Sequence, residues 1–503
     1  MRSASLLVAV ALSMYAAPSF ATDLWVAPTG RSGNAGTMAA PLDTIVTALQ
    51  RARPGDRVMV RAGTYRGGGW ISAQGTEARP ITVLSADGPR RAVINGGSES
   101  LRIGDEARYL VFDGLEVRGA DNNVIHIDGG SHHIWLRNVF AHDAGQDGDV
   151  VKVNQSSSIY IESSEIARPG RRNSSENPYQ ECIDFVDVDD IVVRDSWIHD
   201  GGGSLMYAKG GSRGVVFERN LISGQRDGAA DPMVGLGGVT DSDILGGERF
   251  EAYDLIFRNN ILLGGAAGGV AVYDASNASI ANNLFVNVDG SAIVQFRPGS
   301  GPAARSENVR AVNNIFLDTR GDMPDPFRRS GGHGVNAFTT SHNLFWNNGA
   351  RVPAASLITL ASQPGHLVAD PMIAVADETD RATLVRAMTP AENSPAFDSG
   401  IAVSASPFFV VDDIRGVNRG AHNDRGPWAI GVEAPTAPTP DGDAGAPTDP
   451  TPSQDAGAPT RADAGTPTVT DGGAPAADDP PRPTTRPPTA RSGWVTTGAF
   501  AAA

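Results

Sequence analysis

Between about residues 105 and 345 the chain repeats one short pattern of apolar and polar positions. Each unit has two or three alternating apolar residues, a polar pair that ends in Asn, Ser or Gly, and a further apolar pair. This alternation predicts short strands with one buried face. The units start about 24 residues apart and as much as 40 apart where loops are inserted, a period typical of solenoids. The units are residues 109–114, 133–138, 159–164, 191–196, 215–220, 255–260, 278–283, 309–314 and 338–343.

One such unit cannot bury its apolar face alone. Stacked coils share a continuous core, and each strand then pairs with the coils above and below. We therefore predict an all-β protein that folds as a right-handed parallel β-helix. A β-propeller would need regular blades of about 40 residues, and the shortest spacing leaves no room for four strands.

The last position of the units predicts an internal ladder. An asparagine at a turn can adopt left-handed backbone angles, and its side-chain amide can bond to the same residue of the next coil. Six units end in Asn, so we expect six amides in one column. They are Asn138, Asn220, Asn260, Asn283, Asn314 and Asn343.

The two ends of the chain differ from the repeats. Residues 1–21 have the charged, apolar and small-residue order of a secretory signal, which predicts a mature chain that begins near Thr22 and is secreted or held at the cell surface. Residues 434–503 are rich in Pro, Ala, Asp and Gly with hardly any large apolar residue, which predicts a disordered spacer. Neither end contains a run that would span a membrane. Between them we expect an N-terminal cap and first coils (22–104), the β-helix repeats (105–345), and C-terminal coils with a closing segment (346–433).

Charge and cysteine content narrow the function. The chain has 57 acidic and 41 basic residues, a net charge of −16, which argues against nucleic acid or anionic membranes as partners. Its one cysteine, Cys182, excludes an internal disulfide framework and a cysteine zinc site. With no histidine near it in the sequence, Cys182 is expected to be a small strand residue.

The two lysines stand out because the other 39 basic residues are arginines. Lys152, Asp184 and Lys209 each precede a unit by six or seven residues, so we expect them in one strand column on three successive coils, about 5 Å apart. Strand alternation points all three outward while their apolar neighbours point into the core. The sequence therefore predicts a charged groove on the outer face.

Short motifs flank the repeats on both sides. Before them come WVAPTG (25–30), PLDTI (41–45), PGDRV (54–58) and RAGTY (61–65). After them come SPAFDSG (394–400), DIRGVNR (413–419) and DRG (424–426). Together, over about residues 24 to 433, they resemble secreted bacterial β-helix proteins that include polysaccharide lyases. The resemblance implies a short amphipathic cap helix within residues 44–53, and Ile45 and Leu49 have the matching spacing. It implies the fold more strongly than the activity, because this solenoid also carries hydrolases, epimerases and binding proteins.

Eliminative cleavage of an acidic polysaccharide needs a cation for the uronate carboxylate, a base for the C5 proton and an acid for the leaving oxygen. A lysine with a depressed pKa can be the base, and aspartates can hold a Ca²⁺ that takes the carboxylate, as in the β-helical lyases that this chain resembles. We expect Lys209 or Lys152 as base and Arg226 as a carboxylate clamp. The candidate Ca²⁺ ligands are Asp147, Asp149, Asp184 and Asp187.

Long inserts near residues 168–180 and 224–249 are expected to raise loops beside the groove, where solenoids bind ligands. Arginines there would pair with uronate carboxylates and tyrosines would stack on sugar rings. The candidates for sugar contacts are Arg171, Arg172, Tyr179, Tyr207 and His199.

A purely structural role for these residues is also consistent with the sequence. A lysine between acidic residues on a strand is often an ordinary cross-strand ion pair, and Asp187 or His199 can be plain turn residues. The motif sets of the β-helical pectin hydrolases and the mannuronan epimerase signature are missing, although two carboxylates brought together by folding could still hydrolyse a glycoside. The leading hypothesis is a monomeric lyase for a uronate-containing polysaccharide. The alternatives are a non-catalytic carbohydrate-binding or surface-displayed structural protein, and a glycoside hydrolase.

Overall fold

The computed structural model describes residues 21–171, 180–296, 306–329, 338–357, 359–376 and 380–433. The predicted signal segment, apart from Ala21, and the predicted spacer lie outside these residues, as do Arg172 and Tyr179. Among the described residues, no helix is long and apolar enough to cross a membrane.

Short strands make up most of the regular secondary structure, with a few one-turn or two-turn helices. The strands are β1 (Asp23–Val26), β2 (Arg57–Val60), β3 (Gly63–Arg66), β4 (Trp70–Ile71), β5 (Ile81–Ser85), β6 (Ala92–Asn95), β7 (Leu101–Ile103), β8 (Arg108–Asp113), β9 (Glu116–Arg118), β10 (Ile125–Ile127), β11 (His132–Arg137), β12 (Phe140–His142), β13 (Val151–Glu162), β14 (Glu165–Ala167), β15 (Ile183–Arg194), β16 (Trp197–His199), β17 (Met206–Lys209), β18 (Ser212–Glu218), β19 (Leu221–Ser223), β20 (Val234–Gly237), β21 (Ala252–Arg258), β22 (Ile261–Leu263), β23 (Val270–Tyr273), β24 (Ala275–Ala281), β25 (Leu284–Val286), β26 (Ile293–Phe296), β27 (Val309–Val312), β28 (Ile315–Asp318), β29 (Phe327–Arg329), β30 (Phe338–Ser341), β31 (Leu344–Asn347) and β32 (Leu367–Val368). The helices are α1 (Ile45–Leu49), α2 (Ser242–Leu245), α3 (Arg381–Ala387) and a 3-10 turn at Leu360–Ser362.

All pairings between these strands are parallel and follow three ladders that run the length of the solenoid. The first ladder joins β1, β2, β5, β8, β11, β13, β15, β18, β21, β24, β27 and β30. The second joins β4, β7, β10, β13, β15, β17, β20, β23, β26 and β29. The third is a separate 12-stranded sheet from β3 to β32. The strands β13 and β15, with 12 residues each, run through the first two ladders and unite them into one 20-stranded sheet. This confirms the predicted parallel β-helix.

The core is a column of inward side chains between the sheets. Residues such as Val151, Val153 and Phe185 are fully buried, as the predicted alternation requires. Phe285, Phe316 and Phe345 stack on successive coils with 5.0 Å between ring centroids. That distance matches the spacing of neighbouring strands, so each coil adds one ring to the stack.

The asparagine ladder exists, but it contains five of the six predicted residues. The side-chain amide of Asn260 donates to Asn283 Oδ1 at 3.1 Å, and the same bond recurs from Asn283 to Asn314 at 3.0 Å and onward to Asn343 at 3.1 Å. Asn220 joins through its backbone N–H, which donates to Asn260 Oδ1 at 2.9 Å. Earlier coils continue the column with Ser196 and Ser164.

The prediction for Asn138 was wrong. We expected one asparagine both to adopt left-handed backbone angles and to bond to the next coil, but two adjacent residues divide these roles. Asn138 lies one position before the ladder, with a φ of 52°, and its amide donates to Asp113 Oδ1 at the surface. In later coils the left-handed position holds Asn259, with a φ of 54°, directly before the ladder residue Asn260. The left-handed residue turns the chain, and the buried amide after it satisfies the backbone of the next coil.

Both ends of the described solenoid are covered. Helix α1 forms where the cap helix was expected, with Ile45 and Leu49 buried and the Thr44 hydroxyl accepting the Thr47 N–H at 3.0 Å. At the other end, His366 Nδ1 accepts the N–H of Asn343, and Arg425 donates to the Asn343 carbonyl at 2.8 Å.

Candidate functional site

The two lysines and Asp184 lie on the outward side of the second ladder, but not in one column. Lys152 of β13 is level with Asp184 of β15. The residue level with Asp184 on the next coil is Tyr207, whereas Lys209 is level with Val186. The expected column of Lys152, Asp184 and Lys209 was therefore wrong by two positions at its third member. One position arises because Lys209 precedes its unit by six residues and Asp184 by seven. The other arises because the corner between β17 and β18 holds one residue more than the matching stretch of β15.

A buried acidic cluster lies at the start of these coils. Asp149, Glu181 and Asp184 each offer a carboxylate oxygen, and these oxygens lie within 4.8 Å of one another. Asp149 and Glu181 precede β13 and β15 by the same number of residues, so they are neighbours on adjacent coils. The Glu181 N–H donates to Asp149 Oδ1 at 3.2 Å, and the Asp149 N–H donates to Asn123 Oδ1 at 2.8 Å. Backbone contacts thus hold the cluster in place.

The ammonium of Lys152 lies within this cluster. It contacts the carboxylate of Asp184 and is 3.5 Å from Asp149 Oδ2. Asp184 is only 2% exposed, and its Oδ1 atom is buried without a hydrogen-bond partner in the described structure. Burial lowers the pKa of the Lys152 ammonium and Lys209 adds to this effect, while Asp149 and Glu181 oppose it.

Lys209 and Tyr207 form a pair next to the acidic cluster. The Lys209 ammonium donates to the Tyr207 hydroxyl oxygen at 2.8 Å and lies 4.4 Å from the centre of its ring. The charge of Lys209 also helps to lower the pKa of Lys152. Two ammonium groups and a phenol therefore border three buried carboxylates on the outer face.

The column that contains Lys152 extends in the other direction through His126, Arg102 and Trp70 on the preceding coils. His126 Nδ1 contacts a Glu99 oxygen, and its Nε2 atom lies 2.9 Å from Asn154 Oδ1. Nothing in the residue spacing signalled these members, because the corners between the ladders vary in length from coil to coil.

Two of the four predicted Ca²⁺ ligands are not part of the cluster. Asp147 lies in an exposed turn with a φ of 61°, and Asp187 is exposed at the left-handed corner of β15 with a φ of 55°. Asp149 and Asp184 are in the cluster, and Glu181 is its third member. The signal for Glu181 was its position two residues before a strand, the same as that of Asp149.

Of the predicted sugar-contacting residues that the structure describes, Tyr207 borders the acidic cluster, whereas His199 is buried in the third ladder. His199 ends a strand of the third ladder and contacts Glu165 and Asp200, so its ring belongs to a separate charged group. Arg226 acts electrostatically on Cys182, the residue after Glu181, and its N–H donates to the Gly201 carbonyl. Arg171 is exposed.

Cys182 is fully buried, and burial raises the pKa of its thiol well above the usual value. Such a thiol is not a nucleophile.

The donor set of the acidic cluster suits a hard divalent cation. Ca²⁺ binds six to eight oxygens, and carboxylates serve as monodentate or bidentate ligands. The unpartnered Asp184 Oδ1 atom is a further buried oxygen donor. The Lys152 ammonium occupies part of the same space, so a divalent cation would have to displace it.

Comparison with known proteins agrees with this architecture. Residues 24–175 match the family described as Pel9A-like, right handed beta helix region. The crystal structure of pectate lyase Pel9A is similar with a TM-score of 0.53 and 16% identity, over 82% of this chain and 97% of that chain. The alginate lyase from Paenibacillus sp. str. FPU-7 has a TM-score of 0.40 and 19% identity, over 64% of this chain and 99% of that chain.

A curated sequence also matches part of the chain. The uncharacterized protein YwoF of Bacillus subtilis (strain 168) is 30% identical over 128 residues. The match spans 23% of this chain and only 27% of the length of YwoF. The family match covers residues 24–175, and the likeness to the pectate lyase along almost its whole length shows that this chain has a right-handed parallel β-helix fold like that of a polysaccharide lyase.

Proposed function

We propose that the protein is an exported lyase that cleaves a uronate-containing polysaccharide by β-elimination. The observation that carries the proposal is the group formed by Lys152, Lys209 and the three buried carboxylates on the outward side of successive coils. This group offers both parts that elimination at a uronate requires, a basic amine and a set of ligands for a cation. Export is inferred from the order of residues 1–21, which is typical of a secretory signal.

Lys209 is the proposed base. Lys152 is engaged with Asp184 and Asp149, so its ammonium balances the acidic cluster. The charges of Lys209 and Lys152 act on each other, and as a base Lys209 would take part in the step as the neutral amine. In the proposed step, the Lys209 amine takes the C5 proton, the C4–C5 double bond forms, and the C4–O bond breaks.

Tyr207 is the proposed acid, since its hydroxyl is hydrogen-bonded to the Lys209 ammonium. It would give its proton to the leaving oxygen and recover one from Lys209, so that no proton is lost over the cycle. Arg226, near the same end of the coils, is the proposed clamp for a uronate carboxylate.

Asp149, Glu181 and Asp184 would hold Ca²⁺. When bound, the ion would supply the positive charge that neutralises the uronate carboxylate and makes the C5 proton more acidic. The backbone N–H of Glu181 holds the Asp149 carboxylate in this position, and Lys152 balances part of the negative charge in the absence of the ion.

The experiment is an assay of the purified protein with pectate, alginate, hyaluronan and chondroitin, with and without added Ca²⁺. Elimination creates an unsaturated uronate that absorbs ultraviolet light, whereas hydrolysis does not. We expect a rise in absorbance that requires Lys209 and is lost in Lys209→Met. No rise in absorbance with any polymer, from a protein that thermal unfolding shows to be folded, would contradict the proposal.

A second candidate function is carbohydrate binding without catalysis. The ion pair between Lys152 and Asp184 favours it, because a lysine held in this way also serves as a purely structural bridge between coils. Retention of a polymer in a pull-down without formation of unsaturated product would support this function.

A further inference from the structure

Trp70 is a large aromatic side chain at the surface of the column that leads to Lys152. It is 43% exposed, whereas the other tryptophans of the described residues are buried or half-buried. The register places Trp70 level with Arg102, Arg102 level with His126, and His126 level with Lys152. Three strand spacings separate Trp70 from Lys152, which is about 14 Å along the solenoid axis.

The ring of Trp70 lies on charged side chains. The Arg102 guanidinium is 4.7 Å from the ring centre, and it forms ion pairs with Glu99 and Asp128. Gly104 provides the space beneath, because a Cβ atom there would lie 2.6 Å from Trp70 Cζ2 and 2.8 Å from Asp128 Oδ1. One face of the indole is therefore held against the protein while the rest of the ring is open to solvent.

The arrangement around Trp70 does not stabilise the folded protein. Arg102 Nε and Asp128 Oδ1 are buried beside the ring without hydrogen-bond partners among the described residues. Buried polar atoms without partners destabilise the folded state, and an exposed indole gains little from burial. A costly local structure next to a candidate active site is expected where a ligand completes it.

We propose that Trp70, seated on Arg102 and Gly104, is a stacking platform for an uncharged pyranose ring of the polysaccharide. The apolar face of a sugar ring packs on an indole, and a polysaccharide that follows the column from Lys152 would reach it. The charges of the residues beneath the Trp70 ring exclude a preference for a uronate here. Glu99 and Asp128 together outweigh the charge of Arg102, so no surplus positive charge remains for a carboxylate. This proposal rests on the proposed function for the direction of the bound chain.

Binding by the full chain tests the proposal without requiring turnover. Hexamers of galacturonate and of mannuronate, each as the free acid and as the methyl ester, are titrated in a calorimeter against the wild type, Trp70→Ala, Trp70→Phe and Trp25→Ala. Trp25 is the matched control, because it also lies near a guanidinium, that of Arg61 at 5.8 Å, but belongs to the first ladder. Thermal unfolding of each variant checks the fold.

We expect Trp70→Ala to weaken binding by about tenfold, Trp70→Phe to restore most of it, and Trp25→Ala to leave it unchanged. The loss in Trp70→Ala should be larger for the methyl ester than for the acid. An equal or smaller loss for the ester would overturn the preference for an uncharged ring.

The outcomes separate this proposal from the proposed function. If the acid hexamers bind the wild type, and the methyl esters bind the wild type and Trp70→Ala equally, the platform is overturned and the proposed function stands. If only the methyl esters bind, and do so through Trp70, the platform stands and the uronate-specific function fails. If no hexamer binds the wild type, both are overturned.

Discussion

Lys152 and Asp184 occupy the same register position on adjacent coils, and the ammonium of one contacts the carboxylate of the other. Asp184 has no other hydrogen-bonded oxygen, since its Oδ1 atom is buried and unpartnered in the described structure. The lysine therefore acts as the resident cation of the acidic cluster. Removal of the lysine and removal of Asp184 should have different consequences for stability and for Ca²⁺ binding.

Asp184→Asn should destabilise the folded protein by about 3 kcal/mol, because it leaves the Lys152 ammonium in a largely buried site with a weaker partner. Adding Lys152→Met should recover part of that loss, since an apolar side chain needs no partner. Urea unfolding of the wild type, both single variants and the double variant gives the coupling energy. Additive effects would mean that the contact contributes nothing.

Lys152→Met should strengthen Ca²⁺ binding by about tenfold, because it removes a positive charge from among the three carboxylates. Calorimetric titration with Ca²⁺ measures the affinity, and Asp149→Asn is the control that should abolish it. Weaker Ca²⁺ binding in Lys152→Met than in the wild type would show that the lysine does not compete with the ion.

Tyr207→Phe should lower kcat for elimination by at least about tenfold while KM changes little, because the ring stays and only the proton donor is lost. The comparison with Lys209→Met is informative, since both variants break the same hydrogen bond. A Tyr207→Phe variant with wild-type kcat would remove Tyr207 from the proposed step.

Asn283→Ala should cost about 3 kcal/mol of stability. The Asn283 side chain accepts from Asn260, donates to Asn314 and is fully buried, so its loss leaves several polar groups without partners. Asn138→Gly is the control, because glycine tolerates the left-handed backbone at this position and the side chain makes one bond at the surface, so its loss should cost less than about 1 kcal/mol. Equal losses measured by urea unfolding would contradict the assignment of the ladder.

His366 should make the protein less stable in weak acid. Burial lowers the pKa of His366 to about 4 from 6.5, with the charge of Arg425 acting in the same direction. The unfolded chain therefore binds the proton more readily than the folded chain, and stability falls as the pH drops from 6.5 towards 4. After allowance for solvent screening we expect a loss of about 2 kcal/mol.

His366→Asn tests this prediction because asparagine keeps an acceptor for the Asn343 N–H but does not titrate. Urea unfolding at pH 7 and pH 4.5 should show a smaller difference for this variant than for the wild type. Parallel pH profiles would assign the acid sensitivity to other groups.

The repeating alternation determined the parallel solenoid, because inward residues recur on every coil and no other arrangement buries them all. The last position of the units determined the existence of the asparagine ladder, and the resemblance of the flanking motifs, with the spacing of Ile45 and Leu49, predicted the cap helix α1. The placement of Asn138 failed because two adjacent polar residues, the left-handed one and the buried one, look alike in the sequence.

The candidate site was only partly predictable. The rarity of lysine pointed to Lys152 and Lys209, and the offset from the units pointed to Asp184 and its contact with Lys152. Only the tertiary structure decided that Tyr207 stands beside Asp184 and that Glu181 completes the cluster, since each corner has its own length and shifts the register of the next strand. Local patterns specify which face a side chain takes, whereas its neighbours on other coils depend on the path of the chain between them.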